Sequence, residues 1–261
     1  MPDVVRAWRP QVQGVREVLH ASFDSHAYPA HTHDEWTVLL VDEGVVEYTL
    51  HRSEHRTNPS TVTLLPPHVP HDGSSALPGR PFRKRVLYLD AGWLPPEAAS
   101  ASVGQPIVEN QDVVRAVRAL HDSVLDVHEH FSTEVLLLEL RERLLQHGRS
   151  DQRVTPSDPP LARRLRELLD DRLTESYTIE EAARVLGAHP SHLVRTFSRA
   201  YGIAPHRYVI GRRLQLARRL LLGGEPPSSA AAAAGFYDQA HLTRHFRRVL
   251  GVTPASFARA S

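Results

Sequence analysis

The 261-residue chain contains no cysteine, a single lysine (Lys84) and a single methionine. The first absence excludes disulfides, thiolate zinc sites and a cysteine nucleophile, and it agrees with a reducing compartment. Long apolar runs are missing too: no stretch reaches 18 consecutive apolar residues, so a spanning helix is not expected. Asp3, Arg6 and Arg9 fall where a signal peptide needs an apolar core, and the cytoplasm is the expected compartment. Acidic side chains are scarce in one region. Arg184 to Ser261 holds 12 arginines against only Glu225 and Asp238.

That local scarcity explains why a net charge of +1 misleads. Residues 1–154 carry 15 basic and 21 acidic side chains and residues 155–261 carry 16 and 9, so the halves stand at −6 and +7. Codon bias would favour arginine over lysine, but it would not remove acids. The basic half has the electrostatic footprint of a polyanion-binding segment. With 41% hydrophobic and 23% charged residues, the chain has enough apolar material for two ordinary domains.

Gly148 to Pro160 is rich in proline and polar residues and shows no apolar periodicity, which sets the expected organisation at residues 1–148, a linker at 149–160, and residues 161–261. The first hundred residues read as short β-branched or aromatic runs, among them Trp36–Val41, Val45–Leu50, Thr61–Leu65 and Arg85–Leu89, and predict a small barrel or sandwich. From Gln111 the period changes. Val113, Val117, Leu120 and Val124 predict one helix; Val135, Leu138 and Leu145, with Leu137, Leu140 and Leu144 alongside, predict a second. The second has an apolar arc wide enough to cover a barrel and also meet a partner helix, so core packing alone and a homodimer contact both stay open. After the linker every start signal is helical: a capping box at Thr178 and Glu181, Pro190 at a first turn, Asp238 at a cap.

This helical part contains an internal repeat. Leu193, Arg195, Phe197, Tyr201, Gly202, Pro205 and Tyr208 reappear as Leu242, Arg244, Phe246, Leu250, Gly251, Pro254 and Phe257, each displaced by 49 residues. An alanine-rich helix ending in glycine precedes each copy, giving helix, turn, helix twice. Leucine and phenylalanine four apart bury one face of each second helix, and the opposite face is free. On that face fall Ser191, Val194 and Arg195, and then Gln239, His241, Thr243 and Arg244. Arginine and glutamine suit bidentate contacts with guanine and adenine edges in the major groove. A connecting helix over Arg207–Leu222, roughly 24 Å long, would help to hold the two readers about one DNA turn apart, ~34 Å.

These residues resemble the DNA-binding domain of AraC/XylS-type transcription regulators. The most specific part is Gly235-Phe236-x-Asp238-Gln239-x-His241-Leu242-x-Arg244-x-Phe246, followed by Gly251 and Pro254. The resemblance implies base contacts from Ser191, Val194 and Arg195 and from Gln239, His241 and Arg244, with Thr196 and Thr243 nearer phosphates. His189 departs from the family's usual serine-like cap, and Ser191 with Val194 offers little hydrogen-bonding reach. The second helix and Arg195 are therefore expected to carry most of the readout. Double-stranded DNA is the implied partner and RNA polymerase a further one.

In the N-terminal half, His31-x-His33 followed by Gly44, and Pro66-Pro67-x-x-Pro70-His71, are similar to the two short motifs of a cupin barrel. The implied fold class is two-domain α+β: a cupin-like β-barrel with two C-terminal helices, then an all-α tandem helix-turn-helix domain. In a strand His31 and His33 would share one face. His31, His33, Trp36, Tyr48 and His71 are the expected lining of a pocket for a small-molecule effector. No cofactor is expected. Nor is a metal, although His31, His33 and His71 are the candidates, because Glu35 is too close to His33 for the usual carboxylate ligand and Thr37 or Val38 takes its place. The function implied is an effector-controlled regulator and not an enzyme. Two alternatives stay open, a metal-dependent cupin enzyme carrying a DNA-binding module and a constitutive DNA binder. A DNA-repair methyl acceptor, found joined to such domains, would need a cysteine.

Overall fold

The computed structural model describes residues 3–77, 79–125, 130–148 and 160–259. In chain order the first half runs β1 (Val4–Trp8), β2 (Val15–Phe23), β3 (Tyr28–His31), β4 (Trp36–Glu43), β5 (Val46–Leu50), β6 (Ser53–Thr57), β7 (Val62–Leu65), β8 (His71–Ser75), β9 (Phe82–Leu89), α1 (Pro96–Gly104), β10 (Ile107–Val108), α2 (Gln111–Ser123) and α3 (His130–Gly148). The strands form two antiparallel sheets, one ordered β1-β2-β9-β4-β7-β10 and the other β3-β8-β5-β6. This is the expected barrel with its trailing helices.

The apolar run of β4 explains the layering. All six residues from Trp36 to Val41 are buried because both faces of this strand are covered. Trp36, Val38 and Leu40 join Leu87, Val113, Val117, Leu120 and Leu140 in a core against the helices. Leu39 and Val41 turn the other way and cluster with Val46 of the facing sheet, while within their own sheet they pair with Val86 and Lys84 of β9. α3 uses Leu137, Leu140 and Leu144 for packing. Val135 and Leu138, on the same wide apolar arc, point outward, Leu138 being 62% exposed. α1 was not expected; it starts at Pro96, where a missing backbone N–H costs nothing.

The second half is helical throughout: α4 (Pro160–Asp171), α5 (Ile179–Leu186), α6 (Pro190–Tyr201), α7 (Pro205–Leu222), α8 (Pro227–Ala233), α9 (Gln239–Leu250) and α10 (Pro254–Arg259). The predicted starts are built as expected. Thr178 and Glu181 form a reciprocal capping box, and the Asp238 carboxylate accepts from the His241 backbone N–H. The expected linker lies, apart from Pro160, outside the described residues.

The two halves share a core. Val5, Leu19, Phe23, Val41 and Phe82 of the barrel cluster with Leu214, Ala217, Leu221, Phe246 and Phe257 of the helical part. Between the sheets the environment is more polar. Lys84 sets its ammonium 3.8 Å from the centre of the Tyr28 ring, and His31, His33 and His71 gather beside it. Burial pushes all three histidines down, His71 to about 4, and lowers Lys84 to about 7. His20 falls to about 4 for the same first reason.

Histidines whose folded pKa lies below the unfolded value stabilise the fold fully above about pH 6.5 and lose that contribution as pH falls toward 4. Stability measured by denaturant unfolding is expected to drop from pH 7.5 to 5, by up to ~1.4 kcal/mol per pH unit for each such histidine. A flat profile over that window would show that these imidazoles are not held neutral.

Candidate nucleic-acid interface and its seam with the barrel

Each reader helix is anchored by the residues the repeat pairs. In α6, Leu193, Phe197 and Tyr201 are buried; in α9, Leu242, Phe246 and Leu250 take the matching positions. Both helices end on a left-handed glycine, Gly202 at φ 71° and Gly251 at φ 77°, which stops the helix and turns the chain into the next proline-started one. With one face fixed, the opposite face is determined. Ser191, Arg195, Gln239 and Arg244 are exposed, whereas Val194, Thr196, His241 and Thr243 are half-buried. His189, the unusual cap, works as one, since its Nδ1 accepts from the Ser191 backbone N–H at 3.3 Å. His241 also closes the turn before α9, its ring meeting Phe236 edge-on with centroids 5.4 Å apart.

The expected effector residues divide into two groups. The rings of His31 and His33 both meet His71, with centroids 4.5 and 4.7 Å apart. His33 lies past the end of β3, so it does not share a strand face with His31; it reaches His71 from the following loop. Each Nδ1 sits at a backbone carbonyl, those of Pro29, Glu35 and Val69 respectively. Trp36 is elsewhere, on the helix-covered face of β4, where its Nε1–H donates to Ala91 O. Tyr48 is also apart, stacked on His55 and packed with Leu50 and Leu65. Among the described residues no group of three or more His, Cys, Asp or Glu side chains is arranged to hold a metal ion.

What sequence reasoning missed is the seam between the halves. α7 lays Arg212, Gln215, Arg218 and Arg219 against acids of the barrel. Arg218 pairs with Glu17, both nearly inaccessible, and Gln215 donates to Glu35. Arg212 bridges Asp34 and Asp170, and Arg219 reaches Glu35 at 3.4 Å. Burial weighs most on the Glu17–Arg218 pair and pushes the carboxyl up, yet Glu17 and Tyr88 hold the guanidinium charged. The reader helices are tied in as well: Arg52 donates to the Arg199 carbonyl in α6, and the His26 ring lies 3.0 Å from the Val249 carbonyl in α9. The signal was available in the i, i+3 and i+7 spacing of Arg212, Gln215 and Arg219 on α7, and in the acids Glu17, Asp34 and Glu35. No pairing rule connects positions 201 residues apart.

Comparison with known proteins agrees with this architecture. The model of the AraC-like ligand binding domain matches residues 13–145, and a helix-turn-helix domain model matches residues 182–260. The chain belongs to the AraC-type transcription regulators. A relative, the uncharacterized HTH-type transcriptional regulator YbfI of Bacillus subtilis (strain 168), is 26% identical over 231 residues, covering 82% of this chain and 81% of its own. The HTH-type transcriptional activator RhaS of Klebsiella pneumoniae (strain 342) is 25% identical over 242 residues, covering 87% and 86%. The crystal structure of ToxT from Vibrio cholerae O395 shares the two-part fold with a TM-score of 0.62 at 12% identity, over 99% of this chain and 97% of that one. For an AraC-type regulator the seam matters, because it is where a ligand-binding half touches a DNA-binding half.

Removing one partner from a buried ion pair leaves an uncompensated charge. Arg218→Ala is expected to destabilise the protein by about 3–5 kcal/mol, whereas Glu17→Leu with Arg218→Met should cost much less. Chemical denaturation of the three proteins decides, and equal losses would mean that the pair is solvated.

Proposed function

We propose that this regulator reads two adjacent major-groove segments of one duplex with α6 and α9, under the control of a small molecule bound by its N-terminal half. The repeat carries the reading: two helices 49 residues apart in sequence bury matching Leu and Phe positions and leave Arg195 and Arg244 in solvent. Ser191, Val194, Gln239 and His241 are the further base-facing residues, and Thr196 and Thr243 the phosphate-facing ones. The organisation 1–148, 149–160 and 161–261 follows from the same reading. The imidazole cluster of His31, His33 and His71 supports an effector chamber between the sheets, from which Trp36 and Tyr48 are set aside by their placement.

A homodimer through α2 and α3 is supported by the outward Val135 and Leu138. RNA polymerase is the partner an activator would recruit, and the cytoplasm the compartment in which it would meet DNA. Among the described residues no helix is long and apolar enough to cross a membrane. We assign no enzymatic step to the chain.

Selection of bound duplexes from a random pool should return a paired or directly repeated site, with affinity falling steeply as salt rises. Arg244→Ala is expected to weaken binding to that site by about 1–3 kcal/mol and to relax preference at one base pair. Unchanged affinity and preference in a gel-shift series would place α9 outside the groove.

A further inference from the structure

The two reader units match position by position, and one exposed side chain breaks the match. His189 caps α6 and Asp238 caps α9, displaced by the same 49 residues as the rest of the repeat. One step before these caps stand Ala188 and Tyr237. Ala188 is half-buried against the core of its own unit. Tyr237 is 92% exposed, more than any other large apolar or aromatic side chain among the described residues. Its backbone, by contrast, is held from both sides. Phe236 before it is buried and donates its N–H to the Ala231 carbonyl at 2.9 Å, and Asp238 after it turns its carboxylate back onto the His241 N–H at 2.6 Å. The Tyr237 N–H itself donates to His241 Nδ1 at 3.4 Å. A fixed backbone therefore presents a ring that stands in solvent.

We propose that Tyr237 lies along the DNA backbone at the edge of the groove entered by α9, its ring against a deoxyribose and its hydroxyl donating to a phosphate oxygen. The placement follows from size. A helix with its side chains is about 10–12 Å across, and the major groove is about 12 Å wide, so α9 fills the groove it enters. The first helical turn then faces base edges, and the residue ahead of the cap meets the groove wall. Tyrosine suits that wall. It offers a flat apolar body to the sugar and a donor at its tip to the phosphate, and only two side-chain torsions are frozen on binding.

A contact to the backbone positions the reader without choosing a base. Tyr237 thus sets how firmly and at what depth α9 sits, while Gln239 and Arg244 on the exposed face supply the discrimination. The first unit has only a methyl group at the matching place, so the contact belongs to α9 alone. The two readers are consequently unequal. A duplex is gripped more tightly at the α9 segment than at the α6 segment, although the buried faces of the two helices are built alike.

The inference rests on the reading of α9 as a groove-entering helix, and the test separates the two. A duplex selected by the full-length protein from a random pool is the probe. Tyr237→Phe is expected to weaken binding roughly three- to tenfold and Tyr237→Ala at least about tenfold, mainly through faster dissociation. The selected consensus should stay the same, and so should the slope of affinity against salt, because no cation is removed. Replacing single phosphates by methylphosphonate should reveal one position beside the α9 segment where the wild type loses affinity and Tyr237→Phe loses no more. Thermal melts of both variants are expected to match the wild type, since the ring is exposed. Wild-type affinity in Tyr237→Ala overturns the proposal, and so does an altered consensus, which would put the ring on a base edge. Arg244→Ala tells the two failures apart. If it weakens binding while Tyr237→Ala does not, α9 is docked and only the tyrosine contact is wrong; if neither variant matters, or the wild type retains no duplex, the docking of α9 falls along with it.

Discussion

Charge complementarity across one helix governs how this protein is put together. α7 is the connecting helix of the tandem DNA-binding unit, and its arginines complete the barrel. Bringing Glu17 and Arg218 out of water is costly, and their attraction recovers that cost only when geometry is good and the remaining polar atoms find partners. The surrounding Tyr88 ring, 4.7 Å from the guanidinium centre, and the shared apolar core of Leu19, Leu214 and Phe257 supply a low-dielectric setting in which the pair is strong. Without the pairing, α7 would set unneutralised guanidiniums against a hydrophobic sheet. With it, the two halves become a single packed body.

This changes the meaning of the charge asymmetry. A half at −6 beside a half at +7 looks like a polyanion binder joined to an acidic domain. Part of each excess is spent on the other. Arg212, Arg218 and Arg219 answer Asp34, Glu35 and Glu17, and Arg213 donates to the Leu173 and Glu175 carbonyls. Among the described residues, the arginines left for an external anion include those on α6 and α9 and Arg207 in the first turn of α7. Net charge over a segment therefore overstates its field toward DNA, because it counts side chains already neutralised inside the molecule.

Local rules made the helical half legible. Capping chemistry, the glycine after a helix and Leu/Phe spacing act within a dozen residues, so the repeat could be read directly, including which of its faces is buried. The barrel was legible in class only. β4 and β5 announced themselves by β-branched runs, but the short strands β3 and β8 are defined by their partners, and His33 consequently falls outside the strand that was expected to hold it. Trp36 shows the same limit from the other side. Alternation predicts that it opposes Thr37, yet which face of a doubly covered strand looks onto the chamber depends on where α2 and α3 pack. Outward Leu138 has the same origin, since the heptad-like run of α3 supports two apolar faces and packing chooses one.

A final consequence concerns how the two readers are kept in register. Within the helical half, α7 joins them, helped by the close backbone approach of Gly235 to Thr174, and a single helix about 27 Å long can bend or swivel at its ends. The barrel touches both units independently: Arg52 binds the carbonyl of Arg199 at the end of α6, the backbone carbonyl of His51 lies 3.2 Å from where a side chain on Gly202 would begin, and His26 contacts Val249 near the end of α9. The N-terminal half thus acts as a third strut across the pair. A ligand that alters the barrel by a fraction of an ångström has a direct mechanical route to the distance between readers. A duplex that demands one particular separation will, by reciprocity, alter the affinity for that ligand.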